Sequence, residues 1–181
     1  IELANKFWPG PLTLVAKVKN NSICKSALSK MNTIAIRVPS NIIFLDVLSK
    51  LKIPLAAPSA NRYGKISPTS ANDVYEELNG KIPIILDGGN SLIGLESTVI
   101  DLTEKKAKLI RHGGINKNEL NLVIPLYDNK KKLKVFISPG LSNSHYKPDT
   151  SLRINALRPK KNEAWLAFGT IPKSFKGIGL T

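Results

Sequence analysis

Residues 33–61 read TIAIRVPSNIIFLDVLSKLKIPLAAPSAN, and this stretch decides the fold. A β-branched run at Thr33–Val38 predicts a strand, and residues 39–41 supply a chain break followed by a helix cap. Apolar side chains then recur with helical spacing over Ile42–Leu51, and Ile53–Ala57 has the composition of a short buried strand. A strand, a helix and a strand in succession predict a domain of the α/β class.

The same alternation continues on both sides of this stretch. Ile1–Phe7 has the pattern of the last turns of a helix, residues 5–11 form a turn cluster, and Leu12–Val18 alternates as a strand does. Towards the C-terminus the pattern predicts a helix from a cap at Thr69 or Ser70 to Leu78, a strand at Ile82–Leu86, a hairpin with arms Ser97–Asp101 and Lys108–Arg111, and a short helix at Asn116–Leu122.

The pattern changes after about residue 124, which predicts three parts. Residues 1–125 form the α/β domain, residues 126–150 form a charged and turn-rich linker, and residues 151–181 begin a second, smaller domain. Ala164–Phe168 is the first predicted buried strand of that second domain. Because the first helix and the second domain both look incomplete, we expect the chain to be truncated at both ends.

The composition restricts the classes of partner. Lysine and arginine number 27 against 13 aspartate and glutamate, so the formal net charge is +14. This excess suits an anionic partner such as ATP or RNA, although lysine is also an ordinary surface residue. The single cysteine, Cys24, allows no internal disulfide and fits the cytoplasm. No apolar run approaches the ~20 residues of a membrane span, so no membrane partner is expected.

The loop at residues 57–69 follows one predicted strand and precedes a helix. Its small residues allow a ligand to approach the backbone, Ser59 and Ser67 offer hydroxyl groups, and amides at a helix start favour phosphate. The alternative is an ordinary strand-to-helix loop with serine caps. Neither a Walker P-loop nor a G-x-G-x-x-G motif is present, so the usual nucleotide signatures give no support.

Two arginines each lie at the carboxyl end of a predicted strand. Arg37 and Arg111 stand at the carboxyl ends of such strands, outside which ligands of α/β sheets tend to bind. A guanidinium group there is suited to bidentate binding of a carboxylate, although each arginine can equally be a solvated surface charge. Residues 94–99 (GLESTV) present hydroxyl groups at a strand start. No catalytic triad or metal-ligand cluster is visible, so no catalytic nucleophile and no resident metal are predicted.

Taken together, these segments resemble the YrdC/Sua5 family of threonylcarbamoyl-AMP synthases. The shared segments occur in the order typical of the family: residues 7–13 (FWPGPLT), 36–39 (IRVP), 57–61 (APSAN), 67–69 (SPT), 96–101 (ESTVID) and 111–114 (RHGG). Residues 138–140 (SPG) and 145–148 (HYKP) resemble the interdomain linker of the longer, Sua5-type members. The resemblance implies a YrdC-like twisted mixed sheet with helices, followed by the start of a smaller Sua5-type C-terminal α/β domain.

The resemblance also implies an activity and a site. The family makes threonylcarbamoyl-AMP from L-threonine, bicarbonate and ATP with Mg²⁺, releasing pyrophosphate, and a tRNA threonylcarbamoyltransferase complex then modifies adenosine 37 of tRNA to t6A. By resemblance, the threonine site comprises Arg37, Ala57 and Ser97. The ATP site comprises Thr33, Ser59, Asn61, Ser67, Arg111 and Tyr146, the last closing as a lid from the linker.

Two departures from the family pattern bear on this expectation. The family's N-terminal part, with a lysine- and arginine-rich motif at the substrate site, has no counterpart in residues 1–181, and the linker motif has Lys147 where alanine is usual. Two alternatives therefore stay open beside the enzyme. One is a non-catalytic protein that binds double-stranded RNA or tRNA through a basic surface, and the other is an inactive gene remnant.

Overall fold

Five strands build the sheet of the first part of the chain. A computed structural model describes residues 1–19, 23–28, 32–128, 150–167, 170 and 179–180, which fall into two units, Ile1–Lys147 and Pro148–Thr181. The strands of the first unit are β1 (Leu12–Lys17), β2 (Thr33–Ile36), β3 (Thr98–Asp101), β4 (Lys108–Arg111) and β5 (Tyr127–Asp128). Their order in the sheet is β2-β1-β3-β4-β5. The pairs β1–β2 and β3–β4 are antiparallel, whereas β1–β3 and β4–β5 are parallel, so the sheet is mixed as predicted.

Polar caps start three of the four helices described in this unit, α1 being the exception. The helices are α1 (Glu2–Phe7), α2 (Ile42–Leu51), α3 (Ala71–Leu78) and α4 (Lys117–Asn121), and Lys25–Leu28 forms a 3-10 turn. Asn41 and Asn116 each accept a hydrogen bond from a first-turn amide of α2 and α4. Ser70 and Asp73 form a reciprocal capping box at α3. The predicted positions of all four helices are confirmed to within one or two residues.

The core lies against the central strands of the sheet. Leu12, Ile100 and Leu120 are fully buried, and the cluster around them includes Leu3 from α1 and Leu109 from β4. Burying an aliphatic side chain of this size contributes about 1.5–3 kcal/mol. The core therefore fixes α1, α4 and the three central strands relative to one another. The hairpin β3–β4 appears as predicted.

Two predicted strands are wrong. Residues 53–57 and 82–86 adopt no strand pairing, and most of their side chains are exposed. Leu55 retains 42% and Ile84 retains 73% of its accessible surface. The sequence pattern correctly identified these segments as apolar. A segment forms a strand, however, only where its backbone can pair with a neighbouring strand. The described part of the chain provides no such neighbour for them.

A shallow recess lies beside one of these segments. Its volume is about 240 Å³, and it is lined by Tyr75 of α3, by Asn79, which caps the C-terminus of α3, and by residues 82–85. Among the described residues, none of those predicted to bind threonine or ATP lines this recess. No helix of the described part of the chain is long and apolar enough to cross a membrane.

The second unit contains a minimal sheet. Strands β6 (Trp165–Leu166) and β7 (Gly179–Leu180) pair in parallel. Arg153 and Glu163 form an ion pair, whose hydrogen bond lowers the pKa of the Glu163 carboxyl to about 2. Strand β6 lies within the predicted strand Ala164–Phe168. In the first unit, β5 continues the sheet past residue 125, within the segment predicted as a linker, and the proposed domain limits stay a prediction.

Candidate functional site

The candidate site lies at one end of the sheet. There β2 and β4 end while β1 and β3 begin, so four neighbouring chain segments converge. Backbone hydrogen bonds join them. The amide of Gly10 donates to the carbonyl of Val38 at 2.8 Å, and the amide of Thr98 donates to the carbonyl of Pro11 at 2.9 Å. Polar side chains from distant parts of the sequence thereby meet on a rigid frame.

Ser97 is the buried centre of this arrangement. Its hydroxyl lies 2.7 Å from the hydroxyl of Thr13 and accepts a hydrogen bond from the Arg111 guanidinium at 2.9 Å. Arg111 also donates from Nε to the Ser97 carbonyl at 3.0 Å. The Arg111 side chain is only 14% exposed, so the alternative of a solvated surface charge does not describe it.

Arg37 approaches the same end of the sheet from β2. Its Nε donates to the carbonyl of Gly10 at 2.9 Å, which fixes the plane of the guanidinium group. Partial burial lowers the pKa of Arg37; the nearby Glu96 carboxylate raises it, and the Arg111 charge lowers it further. The guanidinium remains charged at neutral pH, because arginine side chains in proteins are not deprotonated there. Two guanidinium groups thus share one electrostatic environment.

Glu96 links this environment to the loop at residues 57–69. Its carboxylate accepts a hydrogen bond from the Ser67 hydroxyl at 2.8 Å and lies 3.6 Å from the Arg111 guanidinium. With Arg37 and Arg111 each contributing +1 and Glu96 contributing −1, the cluster carries a net charge of +1. The arrangement is suited to an anionic ligand, because the surplus charge is partly desolvated.

Sequence reasoning did not assign Glu96 and Thr13 to the site. Both stand inside the quoted family segments, at 96–101 and 7–13, so a signal existed. Their partners are distant in sequence: Thr13 and Ser97 are 84 positions apart, and Ser67 and Glu96 are 29 apart. Only the register of the sheet shows that these hydroxyl and carboxylate groups meet.

The loop itself is held by local hydrogen bonds. The Asn61 side-chain amide donates to the carbonyls of Arg62 at 2.8 Å and Lys65 at 3.1 Å, while its Oδ1 is buried without a partner in the structure. Gly64 has φ of +82°, in the left-handed region that glycine tolerates. Ala57 and Ser59 are exposed. The loop is therefore ordered around Asn61 and open at its N-terminal side.

The remaining predicted residues lie apart from the cluster or outside the described residues. Thr33 begins β2 and pairs with Lys17, so it lies roughly 13 Å along the strand from Arg37 at the usual strand rise. Tyr146 lies outside the described residues. The structure thus brings Arg37, Ser97, Arg111 and Ser67 together, while the ligand roles of all nine residues stay predictions.

Gly113 allows the close approach on which Ser97 depends. A Cβ atom at this position would lie 2.3 Å from the Glu96 carbonyl oxygen and 2.4 Å from the Ser97 carbonyl carbon. These are backbone atoms of the strand start, so they cannot rotate away. Packing therefore restricts position 113, in the family-like segment 111–114, to glycine.

The described residues contain no group of three or more histidine, cysteine, aspartate or glutamate side chains that could hold a metal ion. A magnesium ion that accompanies ATP does not require such a group, because Mg²⁺ commonly bridges substrate phosphates with few protein ligands.

The chain is an α/β protein with two neighbouring arginines, suited to an anionic ligand, at one end of a mixed sheet. Residues 1–113 match the model of the Sua5, YciO and YrdC protein family, described as "Telomere recombination". The chain therefore belongs to the Sua5/YciO/YrdC family. The expectation drawn from the six family-like segments is confirmed at this level.

Individual relatives agree with this assignment. The chain is 42% identical over 157 residues to the threonylcarbamoyl-AMP synthase of Pyrococcus abyssi, covering 83% of this chain and 45% of that protein. It is 38% identical over 163 residues to the threonylcarbamoyl-AMP synthase of Bacillus subtilis, covering 88% and 47%. The chain thus spans less than half the length of these curated relatives.

A solved structure is similar in fold and sequence. The crystal structure of Pyrococcus abyssi Sua5 complexed with L-threonine superposes with a TM-score of 0.75 at 43% identity. The match covers 81% of this chain and 44% of that chain. The mixed α/β fold predicted from the sequence is therefore confirmed by a homologous structure.

Proposed function

We propose that this chain is part of an enzyme that makes threonylcarbamoyl-AMP from L-threonine, bicarbonate and ATP, releasing pyrophosphate, for t6A modification of tRNA. The observation that carries the proposal is the cluster of Arg37, Ser97 and Arg111 at one end of the sheet. Relatives named for this activity, and a homologous structure that holds L-threonine, support it.

In this proposal Arg37 binds the threonine carboxylate through its remaining guanidinium N–H groups. Its Nε is already committed to the Gly10 carbonyl, which leaves the terminal nitrogens for a bidentate contact. Ser97 offers a hydroxyl whose orientation is set by Thr13 and Arg111. Ala57 completes the threonine site at the start of the loop. The pocket therefore recognises a carboxylate and a neighbouring polar group.

ATP, with Mg²⁺, occupies the other side of the cluster. Arg111 and the hydroxyl groups of Ser59 and Ser67 face the phosphates, and Asn61 lies in the same loop, which its side-chain amide holds through Arg62 and Lys65. Thr33 and the Tyr146 lid complete the proposed nucleotide site. Charge-assisted hydrogen bonds from arginine to phosphate are the strong contacts of such a site.

The chemistry then rests on positioning and electrostatics. The threonine amine condenses with bicarbonate to form a carbamate, with loss of water, and a carbamate oxygen attacks the α-phosphorus of ATP. The bond from that phosphorus to the bridging oxygen breaks, and pyrophosphate leaves with the electron pair. Arg37 and Arg111 hold the reacting anions together and offset the developing charge. No side chain of this chain needs to form a covalent intermediate.

The proposed partner downstream is a tRNA threonylcarbamoyltransferase complex in the cytoplasm. The second candidate function is non-catalytic binding of double-stranded RNA or tRNA, favoured by the net charge of +14. The two differ in what they require of Ser97 and Arg37. A phosphate-backbone binder depends on the number of exposed cations, whereas the enzyme depends on this one cluster, in which Ser97 is buried and Arg37 is exposed.

Arg37→Ala is the most direct test of the threonine site. In a protein that carries the whole family fold, the substitution should weaken threonine binding by roughly 2–3 kcal/mol, because a charge-assisted bidentate contact is lost. ATP binding should change by much less. Isothermal titration calorimetry with each ligand separately measures both effects.

Two further variants serve as controls for this test. Arg37→Lys keeps the positive charge but cannot make a bidentate contact. Its threonine affinity should therefore lie between those of the wild type and Arg37→Ala. Lys50→Ala removes an exposed cation that pairs with Asp46, and should change neither affinity. Equal losses for threonine and ATP in Arg37→Ala would contradict the assignment of Arg37 to the carboxylate.

Arg111→Ala should affect both ligands. Its guanidinium is proposed to contact phosphate, and it also orients the Ser97 hydroxyl. We expect threonine-dependent pyrophosphate release to require Mg²⁺ and to lose roughly 30-fold in kcat/KM for ATP, with a smaller rise in the KM for threonine. A pyrophosphate-release assay over both concentrations measures this. An unchanged ATP dependence would show that Arg111 serves only to hold Ser97.

A further inference from the structure

Glu96 is an acidic residue within a site that we propose for anions. It lies just before the buried Ser97, and its side chain is 30% exposed. Its two carboxylate oxygens have different partners: Oε1 accepts from the Ser67 hydroxyl at 2.8 Å, and Oε2 lies 3.6 Å from the Arg111 guanidinium. One side chain thus touches both the loop and the arginine pair.

The two partners of Glu96 belong to separately supported parts of the molecule. Arg111 is anchored on β4 and to Ser97. Ser67 lies near the C-terminal end of the loop at residues 57–69. Residues 53–57, which lead into this loop, are exposed and pair with no strand. A hydrogen bond from Ser67 to Glu96 therefore fixes the end of the loop against the rigid end of the sheet.

The charge of Glu96 acts on the arginines as well. Arg37 and Arg111 repel each other, and Glu96 attracts both, as the opposing effects of Glu96 and Arg111 on the pKa of Arg37 reflect. Without a ligand, the carboxylate offsets charge that would otherwise destabilise the cluster. With a ligand, the same carboxylate opposes the incoming anion.

We propose that Glu96 is a positioning residue that holds the Ser67 end of the loop against the arginine pair and compensates the arginine charges until an anionic substrate replaces it. The anion side of the proposal rests on the proposed function. The loop side does not, because it concerns contacts within the chain. The two roles are separable, since glutamine retains a hydrogen-bond acceptor for Ser67 but carries no charge.

The loop role is tested without any ligand, in a protein that carries the whole family fold, and the same protein serves for the binding test below. Trypsin cleaves after Lys65, next to the segment that Ser67 holds, and the cut fragment is identified by mass spectrometry. Glu96→Ala and Ser67→Ala should each speed this cleavage about fivefold, as expected when one hydrogen bond no longer opposes local opening. Glu96→Gln should be cleaved at the wild-type rate. Equal rates in wild type, Glu96→Ala and Ser67→Ala would overturn the loop role.

The charge role is tested with tripolyphosphate as the probe. Glu96→Gln should bind tripolyphosphate roughly three- to tenfold more tightly than wild type at low salt, and the difference should shrink as salt rises. A residue with a merely structural role would not tighten the binding of an anion. The matched control is Glu76→Gln, which removes the same charge from the exposed face of α3, where Glu76 pairs with Asn72. We expect no change in that variant.

The outcomes separate this inference from the proposed function. Unchanged or weaker tripolyphosphate binding in Glu96→Gln, with wild type binding normally, would overturn the charge role. Failure of the wild-type protein to bind tripolyphosphate would contradict both the proposed ATP site and the charge role. The trypsin comparison would then still decide whether Glu96 holds the loop.

Discussion

Produced as a separate polypeptide, residues 1–181 will collect mainly in the insoluble fraction and make no detectable threonylcarbamoyl-AMP. The physical reason is the apolar surface of residues 42–95. Its large side chains remain exposed in the structure, among them Ile42, Ile53, Leu55, Ile84 and Leu86. Contiguous exposed apolar groups on unpaired extended segments favour association between chains.

The measurement compares this chain with and without the N-terminal part of the family fold, taken from the Pyrococcus abyssi relative. Supplied in cis or as a second polypeptide, that part should return the chain to the soluble fraction and restore threonine-dependent pyrophosphate release. The family resemblance implies that it also brings the further cations of the ATP site. A soluble monomer of residues 1–181 that forms the product alone would contradict this prediction.

Matched substitutions identify the surface responsible. Leu55→Lys and Ile84→Lys should each increase the soluble fraction of the separate chain, because a charge interrupts the apolar segment. The added N-terminal part should restore threonine-dependent pyrophosphate release less well in these two variants than in the unsubstituted chain. Leu157→Lys changes a leucine that is 91% exposed in the second unit and should alter neither property. Equal effects at all three positions would show that no particular surface is involved.

Gly113→Ala will destabilise the complete fold by about 3 kcal/mol and abolish threonine binding. The added methyl group would overlap backbone atoms of Glu96 and Ser97 that cannot move independently of β3. Relief of the overlap must displace Ser97 from Thr13 and Arg111. Urea unfolding gives the free energy of unfolding, and calorimetry gives the threonine affinity.

Gly94 provides the control for this substitution. Gly94 lies three positions before Ser97, and a Cβ atom added at Gly94 would meet nothing within 4 Å. Gly94→Ala should therefore change the free energy of unfolding by less than about 0.5 kcal/mol. Equal unfolding midpoints for the two alanine variants would refute the packing argument for Gly113.

Features specified by local chemistry were predictable from the sequence. The caps at Asn41, Ser70 and Asn116 each act on an amide three residues away, so a single short window contains the whole signal. The hairpin β3–β4 was likewise predictable, because its two arms are adjacent in sequence. The strands at 53–57 and 82–86 were not, since strand formation depends on a partner that a local pattern does not report.

The candidate site divides in the same way. Arg37 and Arg111 were identified because each lies at the carboxyl end of a predicted strand, and Ser97 because a hydroxyl residue stands at a strand start. The hydrogen bonds that make these residues one site involve Thr13 and Glu96. Those bonds depend on the parallel pairing of β1 with β3 and on the position of the loop at residues 57–69. The periodicity of the sequence predicts neither of these.

The parallel pairing of β1 with β3 also governs when the site can form. Leu12 pairs with Thr98, so the central ladder joins residues on either side of a long intervening stretch that contains β2, α2 and α3. A ribosome must release almost all of that stretch before the ladder can close, and closing so long a loop has a large entropic cost. The β3–β4 hairpin and the capped helices form early by comparison. Ser97 consequently reaches Thr13 late in folding, and the nascent chain exposes its apolar segments throughout that interval.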